Sequence, residues 1–62
     1  MKLKDFLKYV NGNETLNIIE RSFSDGCIFD NKNEKIPDCW LNARVNEIYI
    51  EDGMLTIEIT EA

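Results

Sequence analysis

The segment from Val45 to Thr60 reads VNEIYIEDGMLTIEIT and constrains the architecture more strongly than any other part of the chain. Large aliphatic residues alternate with polar ones on both sides of Asp52-Gly53, a pair typical of two-residue hairpin turns. The pattern predicts a β-hairpin with one apolar face, which the rest of the chain must cover because a lone hairpin is marginally stable in water. The residues expected on that face are Ile48, Ile50, Leu55, Ile57 and Ile59.

One cross-strand pair within this hairpin is unfavourable. With Asp52-Gly53 as the turn, Glu47 lies opposite Glu58, and Val45 falls on the solvent side. A β-bulge near Asn46-Glu47 would return Val45 to the apolar face and separate the two carboxylates. We therefore predict a bulge at this point.

The start of the chain has the apolar spacing of a two-turn helix. The residues that carry it are Leu3, Phe6, Leu7 and Val10. Asn11-Gly12 follows and favours the left-handed backbone that ends helices. We predict a helix over residues 2–10 that docks on the sheet, because so short a helix is not stable alone.

A second hairpin is predicted between residues 14–23 and residues 27–29, around the turn-forming Ser24-Asp25-Gly26. If Asp25-Gly26 is a two-residue loop, the cross-strand pairs are Phe23 with Ile28 and Arg21 with Asp30.

The linker between the hairpins reads as an exposed polar loop over residues 31–35, ended by Ile36-Pro37. Asp38 is expected to cap one helical turn that runs through Asn42. Trp40 and Leu41 should turn towards the core, since a core this small needs a large side chain.

These elements predict a single α+β domain over residues 1–62. Its N-terminal helix packs on a four-stranded, mainly antiparallel sheet made of two β-hairpins. A chain of 62 residues buries a limited fraction of its surface, so any function must use a shallow surface. The predicted core is Leu3, Phe6, Leu7, Val10, Leu16, Ile18, Ile28, Trp40, Leu41, Ile48, Ile50, Leu55, Ile57 and Ile59.

Charge is distributed unevenly along the chain, whose formal net charge is −5. Residues 1–12 carry a net charge of +2 and residues 36–62 a net charge of −5. An acidic hairpin repels phosphate, which disfavours nucleic-acid binding through it. The acidic residues either keep a small domain in solution or present carboxylates to a basic partner.

No catalytic, cofactor or metal site is predicted. The chain has no histidine, which removes the commonest triads and general bases. Glu47 and Glu58 would lie on a solvated sheet face without the cleft that paired carboxylates need for catalysis. Residues 30–34 resemble a calcium loop, but Lys32 replaces an oxygen ligand and the turn glycine is missing. We therefore expect a protein that is not an enzyme.

The expected compartment follows from two features of the sequence. No signal peptide is expected, because Asp5 and Lys8 interrupt the opening apolar residues. No apolar run reaches the length of a membrane span, so we expect a cytoplasmic protein that does not bind membranes. Cys27 and Cys39 are then expected to be reduced, with Cys27 buried in a strand and the pKa of Cys39 raised by Asp38.

A candidate partner-binding surface lies on the hairpin face opposite the isoleucines. Strand alternation places Tyr49 there with Met54 and Thr56. If a helix covers only the other face, these residues form a partly exposed patch with a charged rim, which is typical of interaction surfaces. The rim consists of Glu47, Glu51 and Glu58.

Three functional hypotheses follow from these observations. The leading one is a small acidic protein-binding module of unknown target. The alternative is a self-associating accessory protein, a homodimer formed through exposed sheet edges. Nucleic-acid binding through the lysines of the first helix is the third, and the net charge disfavours it.

In outline the chain resembles small phage- and prophage-encoded proteins of low-GC Gram-positive bacteria. The resemblance rests on the opening KLKDFLKYV helix, a first hairpin, an IPD turn and the closing IYIEDGMLTIEI hairpin. Asn, Ile and Lys supply twenty residues against two Ala and two Arg, as in AT-rich genomes. The resemblance implies a mobile-element setting, in which small acidic proteins block host enzymes or nucleases, and it carries over no functional residue.

Overall fold

A computed structural model of the chain describes residues 1–22 and 26–61. It contains one four-stranded sheet in the order β2-β1-β4-β3 and two short helices. The elements in chain order are α1 (Leu3–Leu7), β1 (Leu16–Glu20), β2 (Cys27–Phe29), α2 (Asp38–Leu41), β3 (Arg44–Glu51) and β4 (Met54–Thr60).

The predicted α+β class is confirmed, but the sheet is mixed. Each hairpin is antiparallel, β1 with β2 and β3 with β4. The two hairpins join through a parallel pair, β1 with β4, at the centre of the sheet. This pairing aligns Leu16 with Leu55 and Ile18 with Ile57, so two apolar rows become continuous beneath the helices.

The first helix is shorter than predicted. The regular α-helix ends at Leu7. Two i to i+3 hydrogen bonds follow it, from Tyr9 N–H to the Phe6 carbonyl (3.0 Å) and from Val10 N–H to the Leu7 carbonyl (3.2 Å). This i to i+3 bonding narrows the last turn and still brings Val10 into the core.

The closing hairpin is confirmed around Asp52 and Gly53, whose φ values of 53° and 75° are those of a two-residue hairpin turn. The predicted bulge is also confirmed, because the register shifts between Val45 and Glu47. Asn46 is the extra residue, and its side-chain amide donates a hydrogen bond to the Thr60 hydroxyl.

The bulge has only one of its two expected effects. Val45 lies opposite Ile59 and packs against the core, as predicted. The expected separation of the carboxylates is wrong, since Glu47 still lies opposite Glu58. The extra residue moves the Val45 side chain to the apolar face of the sheet, but it does not change the register between the bulge and the turn.

The first hairpin forms in a different register from the predicted one. Ile28 lies opposite Asn17, and Phe29 lies opposite Leu16. This register directs Phe29 to the helical side. There its ring packs edge to face against that of Trp40, with the two ring centroids 6.3 Å apart. Residues 23–25, which contain the predicted Phe23 partner and most of the predicted turn, lie outside the described residues.

The other predicted pair of this hairpin is also wrong. Arg21 does not lie opposite Asp30, because the pairing of Leu16 with Phe29 carries Asp30 past the other end of β1. The Arg21 backbone N–H donates to the Ile59 carbonyl of β4 at 3.0 Å. The Asp30 N–H instead donates to Glu34 Oε2 at 2.7 Å, which closes the following loop.

The core lies between the helices and the two central strands. Its buried apolar residues are Leu3, Leu7, Val10, Leu16, Ile18, Phe29, Ile36, Trp40, Ala43, Ile57 and Ile59. Phe6, Leu41, Val45 and Leu55 are partly buried against it. Burial of Trp40 is confirmed, and the second helix begins at Asp38, with Pro37 rather than Asp38 in the N-cap position.

Three predicted core residues are exposed. Ile28, Ile48 and Ile50 are 60%, 43% and 67% exposed, respectively. Ile28 points to the face opposite the helices, because its neighbour Phe29 points towards them. Ile48 and Ile50 face the helical side but belong to the edge strand β3, beyond the reach of two short helices.

Candidate protein-binding surface

The structure brings all six sequence-predicted partner-binding residues to one face of β3 and β4. They form three adjacent cross-strand pairs on the face that the helices leave uncovered. We call this set the hairpin patch. Its pairs are Tyr49 with Thr56, Glu47 with Glu58, and Glu51 with Met54.

Tyr49 is the accessible aromatic residue of the hairpin patch, at 36% exposure. Met54 is half-buried beside it. Thr56 is fully buried, because β1 places Asn17 on its other side. The expectation that Thr56 contributes accessible surface is therefore wrong. It lies opposite Tyr49 on the neighbouring strand, and its hydroxyl donates to the Met54 carbonyl at 3.3 Å.

The carboxylates of the hairpin patch act together on the Tyr49 ring. Desolvation raises the pKa of Tyr49 most, and the negative charges of Glu51, Glu58 and Glu47 raise it further. Within residues 1–22 and 26–61, none of these three carboxylates forms an ion pair. The hairpin patch therefore presents the amphipathic ring of Tyr49 among three carboxylates whose charge no described cation neutralises.

The uncovered face continues beyond the hairpin. One row of residues crosses all four strands, from Ile28 through Asn17 and Thr56 to Tyr49. Ile28 is the exposed apolar end of this row. Sequence reasoning missed it because the predicted hairpin register placed Ile28 in the core.

A second accessible apolar region lies on the helical side of β3. The end of the α1 segment and the strands border an open groove of about 330 Å³. Its lining residues are Phe6, Tyr9, Val10, Asn11, Glu14, Ile50 and Leu55. Tyr9 is largely exposed at its rim, and Ile48 continues the apolar surface along β3.

Among the residues that the structure describes, the outer edge of β3 is paired only at its beginning. Leu3 N–H donates to the Ala43 carbonyl and Val45 N–H donates to the Met1 carbonyl, both at 2.9 Å. Residues 1–3 thus pair with the chain just before the bulge. In the described part of the chain, no other segment pairs with the outer side of residues 46–51.

Positive charge gathers elsewhere, on the helical layer. Lys4 and Lys8 of the first turns and Lys32 of the linker surround a shallow hollow of about 230 Å³ above Leu7 and Leu41. Lys8 lies 3.8 Å from the Asp5 carboxylate. The charge separation predicted from the sequence therefore also exists in space.

Both cysteines are free and exposed. The predicted burial of Cys27 is wrong, because it lies at the exposed beginning of the short edge strand β2, of which only Phe29 reaches the core. The pKa of Cys39 is raised, as expected, but by desolvation and by the Glu61 carboxylate rather than by Asp38. No group of three potential ligand side chains that could hold a metal ion occurs among residues 1–22 and 26–61.

Comparison of the chain with models of known protein families, with curated proteins and with solved structures finds no match. Neither helix in the described part of the chain is long and apolar enough to cross a membrane.

Proposed function

We propose that the protein is a small module that binds a basic protein partner through the hairpin patch. The observation that carries this proposal is Tyr49, partly exposed on the sheet face opposite the helices and surrounded by three carboxylates that form no ion pair with any described residue. Tyrosine is among the residues that contribute most to binding at protein interfaces. Clustered charge of one sign accelerates and orients the approach of a partner of opposite sign.

Solubility alone does not account for this arrangement. Acidic residues keep a domain in solution when they are scattered over its surface. Here Glu47 and Glu58 lie directly opposite each other, which is unfavourable by some tenths of a kcal/mol. A basic side chain placed between them would convert this repulsion into attraction on both sides.

The resemblance to phage and prophage proteins adds a setting to the proposal. In a mobile element, the partner would be a host protein with a basic surface. Enzymes that bind nucleic acids have such surfaces, so an acidic module could cover one of them. The proposed effect is inhibition by occupation, which requires no catalytic group in this chain.

Affinity capture from the native cell, followed by mass spectrometry, tests the proposal. Tyr49→Ala and Glu51→Lys should each abolish the captured partner while the circular dichroism spectrum stays unchanged. Asp30→Lys changes the charge equally at an exposed linker position and serves as the matched control. Retention of the partner by both hairpin variants would exclude the hairpin patch as its binding site.

Self-association is the second candidate, and exposed Ile48 and Ile50 on the edge strand β3 favour it. Pairing of two edges would bury these side chains and enlarge a small core. Sedimentation velocity at micromolar concentration distinguishes the two functions. A monomer at these concentrations excludes self-association.

A further inference from the structure

We infer that the outer edge of β3 binds an extended peptide segment of the partner as a fifth strand, and that this segment alternates apolar and basic residues. The inference rests on the proposed function, because the basic residues of the segment would contact the hairpin patch. It adds the backbone edge and the helix-side groove to the binding site and defines the chemistry of the partner sequence.

The backbone of β3 provides the first support. The sheet has two edges, and β2 has three residues whereas β3 has eight. Residues 1–3 pair with the start of the β3 edge and leave residues 46–51 open among the described residues. An open edge strand of this length is a template for an added strand, whose main chain supplies the hydrogen bonds.

The side chains of β3 provide the second support. Ile48 and Ile50 are exposed on the helical side, while Glu47, Tyr49 and Glu51 lie on the other. An added strand alternates with the same period as its neighbour. Its residues on the helical side therefore meet isoleucines, and those on the other side meet carboxylates. A segment that alternates aliphatic residues with lysine or arginine complements both the isoleucine side and the carboxylate side of β3.

The groove beside β3 completes the apolar half of the site. Phe6 and Tyr9 of the first helical segment line this groove together with Ile50 and Leu55 of the strands. An aliphatic side chain of an added strand would enter this groove and be covered on two sides. The added strand would thus cover the apolar surface on the helical side, which binding at the hairpin patch alone would leave exposed.

Electrostatic repulsion argues against a second copy of the chain as the occupant. If two β3 strands pair antiparallel with Ile48 opposite Ile50 of the other copy, Glu47 lies opposite the other copy's Glu51. Like charges directly opposite each other are destabilising, and each copy also carries a net charge of −5. A basic strand has neither disadvantage.

Fluorescence polarisation with synthetic heptapeptides tests the inference. The probe alternates lysine with valine and isoleucine, and glutamate replaces lysine in a matched control. A second control is methylated on alternate backbone nitrogens, which removes edge hydrogen bonds and keeps the side chains. The lysine peptide should bind, the glutamate peptide should not, and backbone methylation should weaken binding at least tenfold.

Variants of the protein provide the second arm. The double substitution Ile48→Thr with Ile50→Thr should weaken binding roughly tenfold, because it removes apolar contact and keeps a residue that favours strands. Ile28→Thr replaces another exposed isoleucine, at the other edge of the sheet, and should leave binding unchanged. Slowed amide hydrogen exchange at residues 46–51 in the complex would support strand addition.

The possible failures are distinguishable. Binding that resists backbone methylation and the Ile48/Ile50 substitutions, but is lost in Glu51→Lys, overturns strand addition and leaves the proposed function intact. Absence of binding by the lysine peptide also overturns the inference, and the capture experiment then decides the proposed function independently. A concentration-dependent dimer that Ile50→Thr dissociates would overturn it in favour of a second copy.

Discussion

Glu47 of β3 and Glu58 of β4 face each other across the closing hairpin, on the sheet surface opposite α1 and α2. Replacement of Glu58 by Gln keeps the shape and removes one charge of this pair. We expect the free energy of unfolding to rise by about 0.2–1 kcal/mol. Urea denaturation at low ionic strength measures the change, and added salt should reduce the difference from the parent protein.

The same substitution separates stability from function. If the hairpin patch binds a basic partner, Glu58→Gln should weaken capture of that partner while it stabilises the fold. Glu34→Gln removes the same charge from the linker loop, away from the hairpin patch, and serves as the control for capture of the partner. An unchanged free energy of unfolding in Glu58→Gln would show that solvent screens this pair completely.

The turn of the closing hairpin allows a prediction with an internal control. Gly53 has a φ of 75°, and an added Cβ would meet no atom within 4 Å. Gly53→Ala should therefore destabilise the protein by roughly 1–2 kcal/mol through backbone strain alone. Gly12 also has open space around it but lacks a left-handed φ. Gly12→Ala should stabilise it by about 0.4–1 kcal/mol. Equal effects of the two substitutions in thermal denaturation would contradict the argument.

Local features of the fold could be predicted because their causes are close in sequence. Asp52-Gly53 defines the closing turn, and this turn sets the pairing of Ile48 with Ile57. The bulge could be predicted as well, because Val45 would otherwise face solvent. Each of these conclusions needs only neighbouring residues and the two-residue period of a strand.

The arrangement of the two hairpins could not be predicted in the same way. Ile48 and Ile50 have the same alternation as Ile57 and Ile59, so the pattern does not reveal which strand is central. A helix is about 10 Å wide, and strands lie about 4.8 Å apart, so one helix spans roughly two strands. The parallel pairing of β1 with β4 puts these two strands under the helices and leaves the isoleucines of β3 exposed.

The same distinction between local causes and causes distant in sequence applies to the candidate site. The six residues of the hairpin patch could be placed on one face, because strand alternation is a local property. The burial of Thr56 could not, since it depends on Asn17 of a strand distant in sequence. The groove beside Ile50 could not be predicted either, because its lining combines the first helical segment with β3 and β4, which are distant from it in sequence.

The difference between central and edge isoleucines is itself testable. Ile57→Val removes one methylene from a fully buried side chain and should cost about 0.5–1.5 kcal/mol. Ile48→Val makes the same chemical change at an exposed position and should change the free energy of unfolding by less than about 0.5 kcal/mol. Denaturant titration of both variants at matched concentration measures the contrast. Equal losses would mean that β3 is covered in solution.

Tyr49 reports directly on the charge of the hairpin patch. Desolvation and the charges of Glu51, Glu58 and Glu47 raise its pKa above the ordinary value. Ultraviolet titration of a Tyr9→Phe background, in which Tyr49 is the remaining tyrosine, measures this pKa. Glu51→Gln should lower it, because the substitution removes the largest of the three charge effects.

The raised pKa of Tyr49 also determines the sign of a stability change with pH. The folded state holds the phenolic proton more tightly than the unfolded state, so this group contributes stability that is fully present below the unfolded pKa of about 10. The contribution is lost as the pH rises through the higher folded pKa. Tyr49→Phe cannot ionise, so its free energy of unfolding should fall less steeply above pH 10 than that of the parent. Parallel slopes in denaturant titrations across this range would show that folding does not raise the pKa of Tyr49.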